Sequence, residues 1–213
     1  MKPLKKIAVY GAGGFGRETM LMLEQINSSK PSWEISGFFD DGIHAGSVVG
    51  KWKVLGGLNL VNTLQEETYL VIAIADPAVR RAVVTKIINP NIHYPVMVHP
   101  HCLVGSASNR FGKGCILTAG TILTTEINLE EFVIVNLSVT LGHDVRIGKF
   151  ATIMPGCNIS GNVRIGEECM IGTGAKILQN LSIGKQCAVG AGAVVTQHFP
   201  DKKTIVGIPA HEK

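Results

Sequence analysis

Residues 165–195 read IGEECMIGTGAKILQNLSIGKQCAVGAGAVV, and every sixth residue is isoleucine or valine: Ile165, Ile171, Ile177, Ile183, Val189 and Val195. The same frame runs N-terminally through Ile147 and Leu129 to Phe111, fifteen apolar residues without a miss. The residue two before each is small or apolar too, as at Cys115, Val133, Ala151, Cys169 and Ala193. Glycine follows the repeat position at 112, 142, 148, 166, 172, 184 and 190. A helix repeats near 3.6 residues, so its register would drift off one face within two turns. A flat strand repeats at two, but glycine at this density would break it. Short strands joined by glycine-containing turns and stacked as a solenoid satisfy both observations.

The rest of the composition bounds the alternatives. The chain has 213 residues, is 46% hydrophobic and 17% charged, and carries a net charge of +4. So small a surplus, with no long run of like charge, argues against a nucleic-acid partner. Lys2, Lys5 and Lys6 precede an apolar run too short for a signal peptide, and no 18-residue apolar stretch marks a membrane span. Cys115, Cys157, Cys169 and Cys187 share the small inward phase of the repeat, which reads as packing. No C-x-x-C spacing suggests a metal, and a reducing, cytoplasmic setting is expected.

Ahead of the repeats, an apolar run over Lys5–Tyr10 leads into GAGGFG (11–16) and then a helical pattern over Arg17–Ile26. Strand, glycine turn and helix form the context of a nucleotide-binding fingerprint: glycine lets the backbone approach closely, and a helix N-terminus favours anions. A second strand, Trp33–Phe39, ends in Asp40-Asp41-Gly42. A buried strand over Tyr69–Ala75 precedes a helix over Ala78–Ile88. This predicts a small Rossmann-like α/β domain over residues 1–95 and an all-β solenoid over 96–213. The glycine motif alone leaves NAD binding, with Asp40 on a ribose, and a purely structural βαβ unit open.

His143 is the single histidine between Val104 and Thr196, and Asp144 follows it. It lies two residues past inward Leu141, so it should point out of the solenoid or into a turn. Histidine is the side chain suited to general-base work near neutrality, and an adjacent carboxylate can orient its ring. His99 and His101 read as solvated polar residues at the entry to the repeats.

The tracts at 165–177 and 183–196, and the ending Val206, Gly207, Pro209, Ala210, resemble hexapeptide-repeat acyltransferases. With GAGGFGRE (11–18), FDD (39–41), Arg80 and HDVRIG (143–148), the chain resembles the PglD/NeuD-type sugar acetyltransferases over nearly its whole length. The resemblance implies a left-handed parallel β-helix with three faces per 18-residue coil, so fifteen repeats would make five coils. It implies acetyl-CoA as co-substrate, no metal, and a homotrimer with active sites at subunit interfaces. The acceptor would be a nucleotide-linked, UDP-type 4-amino-sugar. His143 would be the general base and Asp144 its support. Gly13, Gly14, Phe15, Asp40, Asp41 and Ala75 would bind the nucleotide. Thr152, Thr173, Ala191, Gly172 and Gly190 would meet acetyl-CoA. Thr152 stands where the family usually carries a second histidine, and Ala75 where it carries glycine. A sialic-acid-type O-acetyltransferase and a non-catalytic nucleotide-binding scaffold remain alternatives. A same-fold zinc enzyme does not, because it would need three histidines where the repeats offer one.

Overall fold

The computed structural model describes residues 4–213; Lys2 lies outside them. The chain divides into two compact units, Met1–Pro95 and Val96–Lys213.

The first unit contains β1 (Lys5–Tyr10), α1 (Gly14–Ser29), β2 (Trp33–Phe39), β3 (Val48–Val49), β4 (Trp52–Gly56), α2 (Leu58–Val61), β5 (Thr68–Ile72), α3 (Pro77–Lys86) and β6 (Ile92–His93). They build one sheet in the order β3-β4-β2-β1-β5-β6. It is parallel except for the β3–β4 hairpin. Ile7–Tyr10 at its centre are buried, as a parallel strand requires. The helix after the glycine turn starts at Gly14, three residues earlier than its apolar spacing suggests. The strand expected over Tyr69–Ala75 ends at Ile72. Asp76 then starts α3, its Oδ1 accepting the Val79 N–H at 2.9 Å with Pro77 as the first helical residue.

In the second unit, two-residue parallel strands stack into three ladders. The first face runs from Met97–Val98 to Ala188–Val189, the second from Leu103–Val104 to Val194–Val195, and the third from Arg110–Phe111 to Ser182–Ile183. Every inward residue of the six-residue frame from Leu117 to Val195 is buried, and Phe111 is half-buried. The solenoid begins two strands before the legible frame. An additional residue between Val104 and Phe111 shifts Val98 and Val104 out of phase, so there are more than the five coils that fifteen repeats imply. At the far end Phe199, Ile205 and Ala210 close the core, and Thr204–Gly207 adds a strand to the first face.

The repeat glycines prove to serve close approach rather than turning. A Cβ on Gly112 would lie 2.6 Å from the Glu131 nitrogen, and one on Gly172 2.6 Å from the Ala191 nitrogen. The turn is made two residues later, where every sixth residue from Gly114 to Gly192 has positive φ. Nine of these fourteen positions are not glycine, among them Phe132, Asp144, Phe150 and Gln186. Eight of the nine are pinned by an N–H to a turn carbonyl one coil earlier, as in Asp144 to Thr125 at 3.1 Å and Gln186 to Glu167 at 2.8 Å, and the ninth, Glu126, donates to Ser108 Oγ at 3.3 Å. Phe132 and Phe150 stack face to face, with centroids 5.1 Å apart. The thiols of Cys115, Cys157, Cys169 and Cys187 are buried and donate to carbonyls of the next coil or the cap. Burial pushes the Cys169 thiol up to about 12.

Two substitutions test this division of labour. Gln186→Gly relieves a left-handed non-glycine residue and should raise stability by about 1 kcal/mol. Gly112→Ala drives a methyl into backbone and should cost about 1–3 kcal/mol. Thermal or urea unfolding of both variants checks it; two effects of the same sign would refute the assignment.

Candidate functional site

The first unit places a depression of about 410 Å³ at the carboxyl ends of β1, β2 and β5. This is where open α/β sheets bind ligands. Gly13, Gly14, Phe15, Asp40, Asp41 and Ala75 all line it. Gly11 (φ +99°) makes the turn, and a Cβ there would touch the Ala73 carbonyl oxygen at 3.0 Å. A Cβ on Gly16 would overlap the Gly11 oxygen at 1.9 Å, so helix and turn meet only because residue 16 is glycine. Around Gly13 and Gly14 there is open space within 4 Å. Gly13 caps α1 without a side chain, so the first N–H groups of the helix face the depression uncapped and attract anions.

The two aspartates shape this wall as well as lining it. Asp40 Oδ2 accepts the Ala12 N–H and its Oδ1 the Gly42 N–H, each at 2.8 Å, which ties the glycine turn to the end of β2. Asp41 Oδ1 accepts the Leu58 N–H at 2.8 Å, and its Oδ2 accepts the Tyr10 hydroxyl at 2.5 Å. Burial, then that hydrogen bond, push the Tyr10 phenol well above its ordinary value. A carboxylate has about four acceptor positions, so each aspartate keeps lone pairs for a ligand hydroxyl. Underneath, Arg80 is buried and donates from Nη1 to the Ile74 and Ala75 carbonyls at 2.5 and 3.0 Å. This clamp fixes the loop that carries Ala75, and the resemblance pointed to Arg80 without a role.

In the second unit His143 sits on the turn between the second and third faces. Its Nδ1 lies 2.8 Å from Asp144 Oδ2, and both side chains are more than half exposed. A carboxylate only accepts, so the proton is assigned to Nδ1 and Nε2 keeps its lone pair. The turn is held on both sides: Asp144 N–H donates to the Thr125 carbonyl, and Asn162 N–H to the His143 carbonyl at 2.7 Å. Nε2 faces Gly161, one coil on, where a Cβ would stand only 2.3 Å away. The ring occupies space that exists because residue 161 has no side chain. Sequence reading missed Gly161; the signal for it is the 18-residue offset from His143.

Gly172 and Thr173 lie directly before Gly190 and Ala191 on consecutive coils, in the turns that join the first face to the second. Thr173 and Ala191 are exposed. No side chain at 172–174 or 190–192 is larger than threonine, so this column of turns is narrow. Within one chain it lies across the second face from His143. Thr152, expected among the acetyl-CoA contacts, is fully buried at mid-strand between Ile134 and Met170. His99 is buried too, its Nδ1 accepting the His101 N–H at 2.9 Å, and burial pushes its pKa down. Among the described residues, no three His, Cys, Asp or Glu side chains converge as a metal-ligand set. No helix there is long and apolar enough to cross a membrane.

Comparison with known proteins follows the same division. Residues 6–87 match the family model of the PglD N-terminal domain, and residues 144–179 and 162–197 match that of the bacterial transferase hexapeptide. The GDP-perosamine N-acetyltransferase of Escherichia coli O157:H7 is 30% identical over 140 residues, which are 66% of this chain and 63% of that relative. The acetyltransferase domain of PglB from Neisseria gonorrhoeae FA1090, solved in complex with acetyl coenzyme A, is 35% identical with a TM-score of 0.88; the match covers 99% of this chain and 100% of that one. PerB from Caulobacter crescentus, solved with CoA and GDP-perosamine, is 25% identical with a TM-score of 0.89, over 99% of this chain and 98% of that one. The chain therefore belongs to the PglD/NeuD-type family of acetyl-CoA-dependent sugar acetyltransferases built on hexapeptide repeats.

Proposed function

We propose that this chain transfers the acetyl group of acetyl-CoA to the amine of a nucleotide-linked 4-amino-sugar, with His143 as general base. The observation that carries the reading is the His143–Asp144 pair, exposed on a doubly pinned turn with Nε2 lying over the bare backbone of Gly161. The names of the relatives, which act on GDP-perosamine or bind acetyl coenzyme A, support the substrate class. The glycine-turn depression offers what a nucleotide diphosphate needs: an uncapped helix N-terminus for phosphate and two carboxylates for hydroxyls.

The chemistry is short. The amine nitrogen attacks the thioester carbonyl carbon while Nε2 of His143 takes a proton from that nitrogen. The C–N bond forms, the C–S bond breaks, and the CoA thiolate leaves and is protonated. Asp144 holds the Nδ1 proton, which presents Nε2 as the acceptor and stabilises the imidazolium that forms. The thioester is already activated, so positioning of the two substrates supplies much of the remaining rate.

Three substitutions and one set of thermal shifts test this. His143→Ala should lower kcat by about 10²–10⁴-fold with acetyl-CoA binding intact; full activity in that variant would sink the base assignment. Gly161→Ala should lower kcat about 10²-fold at unchanged melting temperature, because the added methyl displaces an exposed side-chain ring rather than backbone. A parallel loss of stability would show that Gly161 serves the fold instead. Asp40→Ala should raise the KM of the nucleotide-sugar well above any change in the KM of acetyl-CoA. Thermal shifts with UDP, GDP, dTDP and CMP choose the nucleotide, and a shift with acetyl-CoA alone would favour a free-sugar O-acetyltransferase.

A further inference from the structure

The three faces of the solenoid differ sharply in the residues they turn outward. On the first, Met97, Ile116, Ile134 and Thr152 are all buried. On the second, Leu103 and Ile122 give way to a hydrogen-bonded row of Thr140, Asn158 and Lys176. The third presents Arg110, Asn128, Arg146, Arg164 and Ser182 in one register column. The second unit has three arginines, and all three stand here, each one residue before an inward apolar position.

Their arrangement departs from the column beside it. In the turns following this face, Lys113, Glu131, Lys149, Glu167 and Lys185 alternate in sign coil by coil. They pair accordingly: Lys113 and Lys149 reach Glu131 at 3.6 and 3.3 Å, and Lys185 reaches Glu167 at 3.4 Å. Arg146 and Arg164 are instead like charges directly opposite each other on adjacent strands, which is destabilising by itself. Among the described residues no carboxylate pairs with either. Glu167 is engaged by Lys185, and Glu130 accepts the Lys149 N–H at 3.1 Å. A groove of about 360 Å³ runs along this face; its polar lining is Asn128, Arg146, Arg164, Ser182 and Lys185 together with Glu130 and Glu167, so three cations face two carboxylates.

We propose that this face is a binding site for phosphate-bearing ligands, gripped by Arg146 and Arg164 and flanked by Asn128, Ser182 and Lys185. Adjacent strands lie about 4.8 Å apart, so two guanidinium groups rise side by side at a spacing that one diphosphate, or two neighbouring headgroups, can bridge. Arginine presents a planar fork that binds phosphate oxygens in pairs, whereas lysine is a point charge. That difference matches the residue choice: lysine where single ion pairs form in the turns, arginine in the groove. A bound anion also removes the repulsion between the stacked guanidinium groups.

The test compares the full chain with the Arg146→Gln/Arg164→Gln double variant, which keeps the glycine-turn depression and so subtracts any binding there. Calorimetric titration with inorganic pyrophosphate probes a free diphosphate. Flotation with vesicles of phosphatidylglycerol in phosphatidylcholine probes headgroups. The expected result is a binding event in one arm or both that is weakened roughly 100-fold in the double variant, two charge-assisted contacts being lost, at an unchanged or higher melting temperature. Loss in the pyrophosphate arm alone identifies a soluble diphosphate as the source, and loss in the vesicle arm alone identifies a lipid surface. Equal binding by the two proteins in both arms, or binding by neither, would overturn the proposal.

Discussion

Backbone hydrogen bonding between coils at a fixed offset is the constraint on which the second unit depends. Through most of the solenoid a strand N–H meets a carbonyl seventeen residues later, as in Ile116 to Val133, Thr152 to Cys169 and Gly148 to Ile165. The turn N–H groups reach backwards, as Phe150 does to Glu131 and Asn162 to His143. Two-residue strands bury too little to hold by themselves; the ladder along the stack makes them cooperative. The one additional residue, between Val104 and Phe111, is absorbed in the first coil. There the offset is eighteen, as in Leu103 to Thr121, before it settles to seventeen at Arg110.

The same stacking decides which side chains can do chemistry. Inward positions are committed to a dry core, and glycines such as Gly112 and Gly142 are committed to backbone approach. That leaves outward strand positions and turns. His143 is a turn residue, held by its neighbours on both sides, so an exposed imidazole keeps a defined place without being buried. In the first unit a comparable economy puts Asp40 and Asp41 to two uses, fastening the glycine turn to β2 and offering lone pairs to the depression.

Much of this was legible in the residues, because a six-residue frame in which Leu117 through Val195 are all apolar has few physical solutions. The outward phase of His143 follows from the same frame. Other features were hidden for identifiable reasons. The first two strands were lost to the inserted residue. The function of the repeat glycines was misread as turning, since close approach between coils depends on residues eighteen positions away. Thr152 is placed at acetyl-CoA by resemblance alone, and its burial depends on packing that the six-residue frame does not carry. Gly161 was one glycine among 25 until the coil length singled it out. The links from Asp41 to Tyr10 and Leu58 join segments too distant in sequence for pattern to reveal.

The left-handed turn residues carry a wider implication. Glycine, phenylalanine, serine, aspartate, asparagine, glutamate and glutamine all occupy equivalent corners with nearly the same φ. Their conformation is imposed by the stack rather than chosen by the residue. A corner can therefore exchange its side chain at the modest energy of one strained torsion and leave its neighbours in place. Such a scaffold is permissive to evolutionary drift at its rims while its core is held constant, so new reactive groups can be installed, moved by one coil or discarded without re-inventing the protein that displays them.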